Sequence, residues 1–129
     1  STGAAIAVTK ALPELEGKFD GIACRVPVVA GSIADVTFVA GRDTTVEEIN
    51  EILTNASEQD RWAGIFAVSD DPIVSSDIIG STHASIADLP MTRVVGGNLV
   101  KVMAWYDNEY GYSQRLLEVA DYMASKMVK

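Results

Sequence analysis

The chain has 129 residues, 48% of them hydrophobic, and a formal net charge of −8. That length fits one domain with a real core, and the acidity excludes nucleic acid and anionic membrane as partners, because both require a cationic surface. No apolar run reaches the roughly 18 residues of a membrane span. The single Cys24 forms no internal disulfide, which fits a reducing, cytoplasmic compartment. The chain starts at Ser1 with no basic-then-apolar leader, and reads as a processed or truncated product.

Residues 4–12 are rich in Ala with spaced apolar positions and stop at Pro13, which predicts a short helix. Ser1, Thr2 and Gly3 stand before it, so hydroxyls and free N–H groups gather at the positive end of the helix dipole. Such a start holds an anion or only caps the helix, and spacing favours the cap. Residues 21–29 and 32–40 read as two strands joined at Ala30-Gly31 in a hairpin. Arg25 is the only charge in the first of these and needs an anionic partner, for which pattern alone offers a carboxylate such as Asp35 ahead of a phosphate. Cys24, in the same apolar stretch, reads as an inert core residue.

Thr44 or Thr45 opens a scaffold helix to about Ser57, with Thr45-x-x-Glu48 as a capping box and Val46, Ile49, Ile52, Leu53 and Ala56 as its inner stripe. Residues 64–69 predict a strand, Asp70-Asp71-Pro72 a solvated turn, and residues 73–79 another extended piece ended by Gly80. His83, the only histidine, sits among Ser81, Thr82 and Ser85 with no nucleophile context, and reads as structural. Residues 85–89 and 92–95 are short extended pieces. Gly96-Gly97-Asn98 then turns the chain into an apolar strand over 99–104. No metal-ligand cluster stands out.

The last corner, Trp105-Tyr106-Asp107-Asn108-Glu109-Tyr110-Gly111-Tyr112-Ser113, joins that strand to a helix whose Tyr112, Leu116, Ala120, Met123 and Met127 recur at helical spacing. Asp107 and Asn108 are both candidate N-caps. This nine-residue tract resembles the one closing the catalytic domain of phosphorylating glyceraldehyde-3-phosphate dehydrogenases. The resemblance continues through Ser1-Thr2-Gly3-Ala4-Ala5, Leu12-Pro13-Glu14-Leu15, Arg25-Val26-Pro27, Ala56-Ser57-Glu58 and Pro72-Ile73-Val74-Ser75-Ser76-Asp77. Where the family commonly carries a lysine after Ser-Thr-Gly-Ala-Ala, this chain has Ile6, which removes a cation near the first helix.

The resemblance implies an α+β catalytic-domain portion over residues 1–129: a mostly antiparallel mixed sheet, helices packed on one face, and a C-terminal amphipathic helix. It implies an enzyme that oxidises an aldehyde through a cysteine thiohemiacetal, passes hydride to NAD or NADP, and releases the acyl group to inorganic phosphate. Thr2, Gly3 and Arg25 match its substrate-phosphate positions, Asn108 the residue that hydrogen-bonds the nicotinamide carboxamide, and Tyr106 and Tyr112 the aromatics of that pocket. Neither Cys24 nor His83 matches a catalytic position, and no Gly-x-Gly-x-x-Gly fingerprint is present.

On this reading the Rossmann domain and the nucleophile segment lie elsewhere in the parent, a homotetramer, and this chain alone is inactive and holds no cofactor tightly. Its ligands are a small phosphorylated aldehyde and inorganic phosphate. The last helix, without its partner domain, is expected to self-associate or to leave its apolar stripe partly exposed. Erythrose-4-phosphate dehydrogenase shares most of these motifs, and a stand-alone, non-catalytic assembly module is the alternative from another class.

Overall fold

The computed structural model describes residues 3–127. Its organising unit is a four-stranded mixed sheet in the order β1-β4-β3-β2, where β1 is Ser32–Val39, β2 Phe66–Ser69, β3 Ser85–Val95 and β4 Leu99–Tyr106. The β3–β4 pair is antiparallel and closes through Gly96-Gly97-Asn98. Both glycines have positive φ, 59° and 84°, a region that side chains disfavour and this turn requires. β1 adds antiparallel to the other edge of β4, with Ser32 opposite Tyr106 and Val39 opposite Leu99. β2 runs parallel to β3, Phe66 opposite Ser85, so the chain between them must cross over.

The two extended pieces expected over 85–89 and 92–95 form one strand with an irregular register between Asp88 and Arg93. Pro90 lies inside the irregularity and has no N–H to give to the ladder. Ala87, Leu89 and Val100 are buried. Helix α2, Val46–Ser57, packs on β2 and β3, and its Asn50 Nδ2 donates to the Leu89 carbonyl at 3.2 Å. The expected inner stripe is only part-covered: Ile49, Leu53 and Ala56 are half-buried, whereas Ile52 is 54% exposed beside a groove of about 430 Å³ that Phe38 also lines.

Thr45 caps α2 as the sequence predicts, its Oγ1 accepting from the Glu48 N–H at 3.2 Å. The reciprocal half of the box is different, because the Glu48 carboxylate pairs with Arg42 and accepts from Thr44 Oγ1 at 2.6 Å. Arg42 first, and Thr44 second, lower the Glu48 pKa from 4.5 to about 2. A native pKa below the unfolded one stabilises fully above the unfolded value and is lost as pH falls through the native one. Stability should therefore decline between pH 4.5 and about 2, and a Glu48→Gln variant should decline less across that window when acid unfolding is followed by circular dichroism.

Four expectations are corrected. Residues 21–29 form no strand and no hairpin with β1. Pro27 has no N–H, and the Val28 N–H donates to the Val26 carbonyl at 2.9 Å, so two ladder donors are missing or used locally. Cys24 is accordingly exposed and not a core residue. Asp35 does not partner Arg25: its carboxylate is held by Lys101 and by Thr37 Oγ1, and Lys101 lowers its pKa. Residues 73–79 are not extended throughout, since α3 spans Ser75–Ile78, started by Asp77 Oδ2 accepting from the Val74 N–H at 2.7 Å.

Helix α1, Ala4–Ala11, ends at Leu12 before Pro13 and buries no residue. Helix α4, Tyr110–Met127, leaves Leu116, Met123 and Met127 exposed, in line with the partly exposed stripe expected of it. The accessible surface is 9344 Å². A compact monomer of this mass exposes about 6,600 Å², so the chain presents far more surface than its own core covers.

Candidate functional site

The corner between β4 and α4 is built by Asp107, which is buried, at 3% exposed. Its Oδ1 accepts from the backbone N–H groups of Glu109 at 2.9 Å and Tyr110 at 2.8 Å, so of the two candidate N-caps the structure uses Asp107. Its Oδ2 accepts from the Gly80 N–H at 2.9 Å, tying the loop after α3 to the same carboxylate. These bonds to the ionised form, first from Tyr110 and then Gly80, hold the Asp107 pKa below its ordinary value against the opposing effect of desolvation.

Asn108 is thereby left free for other work. Its Oδ1 accepts from Ser32 Oγ at 2.9 Å, across the end of the β1–β4 ladder where Ser32 faces Tyr106. Gly111 is buried where α4 crosses the 80s loop, close against the His83 carbonyl. Arg115, one turn further on, reaches the carbonyls of Gly64 at 3.3 Å and Thr82 at 3.5 Å, and pairs with Glu118 at 2.7 Å. Among the described residues its Nε and Nη1 are buried without a partner. The result is an open depression of about 320 Å³ whose walls include Tyr106, Asn108, Gly111, Tyr112 and Arg115.

The structure thus brings together Asn108, Tyr106 and Tyr112 in one depression, with Tyr112 70% exposed on its rim. Gly3 and Arg25 are exposed and do not line it, and Thr2 lies outside the described residues. Arg25 makes no hydrogen bond or ion pair among the described residues. His83 is held locally: its N–H donates to Ser81 Oγ at 3.3 Å and its Nδ1 lies 3.4 Å from the same oxygen. Among the described residues no group of three or more His, Cys, Asp or Glu can hold a metal ion, and no helix is long and apolar enough to cross a membrane.

Ser32, Gly111 and Arg115 were not marked by the sequence as members of the site.

The depression places the Asn108 amide and two phenol rings around one open floor.

Residues 1–108 match the family described as glyceraldehyde 3-phosphate dehydrogenase, C-terminal domain. The chain is 46% identical over 98% of its length to a glyceraldehyde-3-phosphate dehydrogenase of Zymomonas mobilis and 49% identical over its full length to one of Borreliella burgdorferi. It is 48% identical over 98% of its length to one of Geobacillus stearothermophilus. It spans 38%, 38% and 37% of these relatives, well under half of each.

Proposed function

Because this chain belongs to the family of glyceraldehyde 3-phosphate dehydrogenase C-terminal domains, we propose that it supplies part of the active site of a phosphorylating, NAD(P)-dependent aldehyde dehydrogenase acting in glycolysis in the cytoplasm. The observation that carries this reading is the corner itself, where Asn108, Tyr106 and Tyr112 meet in one depression on a strand-to-helix junction fixed by Asp107. NAD(P), when bound, would supply the hydride acceptor. Asn108 would hold its carboxamide, and Tyr106 and Tyr112 would stand beside it.

Thr2, Gly3 and Arg25 serve the substrate and inorganic phosphates in the assembled enzyme. A guanidinium is suited to this by its forked donors and permanent charge. Arg25 lies on a segment whose apolar neighbours Ile22, Val26 and Val29 are exposed, which supports its being completed by further protein surface. The catalytic cysteine, its histidine and the dinucleotide-binding domain come from the rest of the parent. The surface beyond what a compact monomer exposes, and the bare stripe of α4, favour docking to that part and to further subunits.

In the full-length enzyme carrying this segment, Asn108→Ala should raise KM for NAD(P) by about tenfold, the loss of one hydrogen bond, with little change in KM for aldehyde. Arg25→Ala should raise KM for aldehyde or phosphate by roughly 10- to 100-fold, as for a charge-assisted bond. Steady-state kinetics decides it: a variant pair in which both substrates suffer equally would reject the assignment. The chain assayed alone should give no aldehyde- and phosphate-dependent NAD(P) reduction.

A further inference from the structure

The geometry points to Asp20 as a site of spontaneous backbone modification, where the Gly21 nitrogen closes a five-membered imide on the aspartate side chain and water reopens it to isoaspartate.

Asp20 is the only aspartate of the chain that precedes a glycine, and no asparagine does. The succession matters because the attacking atom is the main-chain nitrogen of the next residue, and only glycine leaves that nitrogen without a Cβ beside it. Here the side chain is already folded back on it: the Gly21 N–H donates to Asp20 Oδ1 at 2.7 Å. Among the described residues neither group has another partner. The carboxyl group and the nitrogen thus stand side by side before the reaction begins, which lowers its orientational cost.

The surroundings leave the backbone free to close the ring. Residues 19–26 belong to no helix or strand, and every residue from 16 to 29 is exposed. Other aspartates are held away from such a step. Asp88 and Asp107 are buried, Asp35 is held by Lys101 within β1, and Asp77 is held by the Val74 N–H at the start of α3. The residue after each of them carries a side chain.

The reaction balances with water as its only co-reactant. The Gly21 nitrogen gives up its proton and bonds to Asp20 Cγ, while the hydroxyl of the protonated carboxyl leaves as water. A second water then opens the imide. Addition at Cγ restores aspartate, whereas addition at the main-chain carbon routes the chain through Cβ and Cγ and leaves a free carboxylate on Cα. The product has the same mass and a main chain one methylene longer, in the exposed segment that also carries Arg25.

The test is to age the chain for weeks in neutral buffer made with oxygen-18 water and then digest it with trypsin. The peptide of residues 19–25 contains Asp20 as its only aspartate. It should split into two chromatographic peaks of equal mass, each gaining one heavy oxygen, and the new peak should accept a methyl group from an isoaspartyl carboxyl methyltransferase. A Cβ at Gly21 would meet nothing within 4 Å, and the φ of Gly21 is not positive, so Gly21→Ala leaves the fold intact. It should slow the appearance of the new peak about tenfold, a barrier increase of about 1.4 kcal/mol. Asp20→Glu, which would need a larger ring, should give no second peak. A synthetic peptide of residues 19–25 should react at close to the rate of the whole chain.

If that peptide converts while the whole chain does not, the folded chain protects Asp20 and the inference is wrong. Heavy oxygen entering the peptides of other aspartates as fast as that of Asp20, or an unchanged rate in Gly21→Ala, would overturn it equally.

Discussion

Replacing Gly111 with alanine is expected to destabilise the chain by about 1–3 kcal/mol, the range for overpacking a close contact. Helix propensity predicts the opposite sign, because glycine inside a helix is up to about 1 kcal/mol worse than alanine. The contact decides. A Cβ at Gly111 would stand 2.9 Å from the His83 carbonyl oxygen and 3.7 Å from Ala84 Cα, all backbone atoms with no rotamer to yield. Relief requires α4 to lift away from the 80s loop, which also lengthens the Arg115 bonds to Gly64 and Thr82. Chemical denaturation should give a lower midpoint with an unchanged slope, and Gly111→Val should be worse than Gly111→Ala. An alanine variant as stable as the parent would show that α4 is free to shift.

Removing the Asp107 carboxylate should have the other large effect. In Asp107→Ala three backbone donors, at Gly80, Glu109 and Tyr110, lose their acceptor together. Hydrogen exchange at Gly80 and Tyr110 should accelerate by one to two orders of magnitude, about what an unpaired buried donor implies. Asp107→Asn should fall between, since its oxygen can still serve the α4 start while its N–H₂ meets the Gly80 N–H donor to donor. The carboxylate also makes the corner acid-sensitive. Its native pKa lies below the ordinary value of 3.8, so its contribution is complete above that value and disappears as pH falls below it. Unchanged exchange in Asp107→Ala would mean that packing of Gly111 and Arg115, and not the cap, holds the corner.

How far these features were legible depended on the reach of the interaction. The Thr45 cap, the Gly96-Gly97-Asn98 turn, strand β4 and the Asp107 helix start are encoded within a few residues, and each was readable from local spacing. Residues 21–29 carry the composition of a strand, but a strand also needs a free edge with matching donors. Pro27 and the local Val26–Val28 bond deny it, and the readings of Cys24 as buried and of Asp35 as the Arg25 partner fell with it.

Asp77 misled in a similar way: its side chain starts a single helical turn where β-branched neighbours suggested extended chain. In the site, Tyr106, Asn108 and Tyr112 were visible as a motif. Ser32 was not, because nothing near position 32 records that β1 begins opposite Tyr106. Gly111 was visible as a residue but not as a contact, since its reason is a carbonyl 28 positions earlier.

The Ser32–Asn108 bond spans 76 positions, and this separation orders the assembly of the corner. The β3–β4 hairpin closes over three residues and can form from neighbouring chain alone, whereas β1 must diffuse back to the far edge of β4 against a much larger loop-closure entropy. A hairpin without β1 already carries Asn108, but without its Ser32 partner. The completed corner therefore belongs to the finished sheet and not to any folding intermediate that precedes β1 docking.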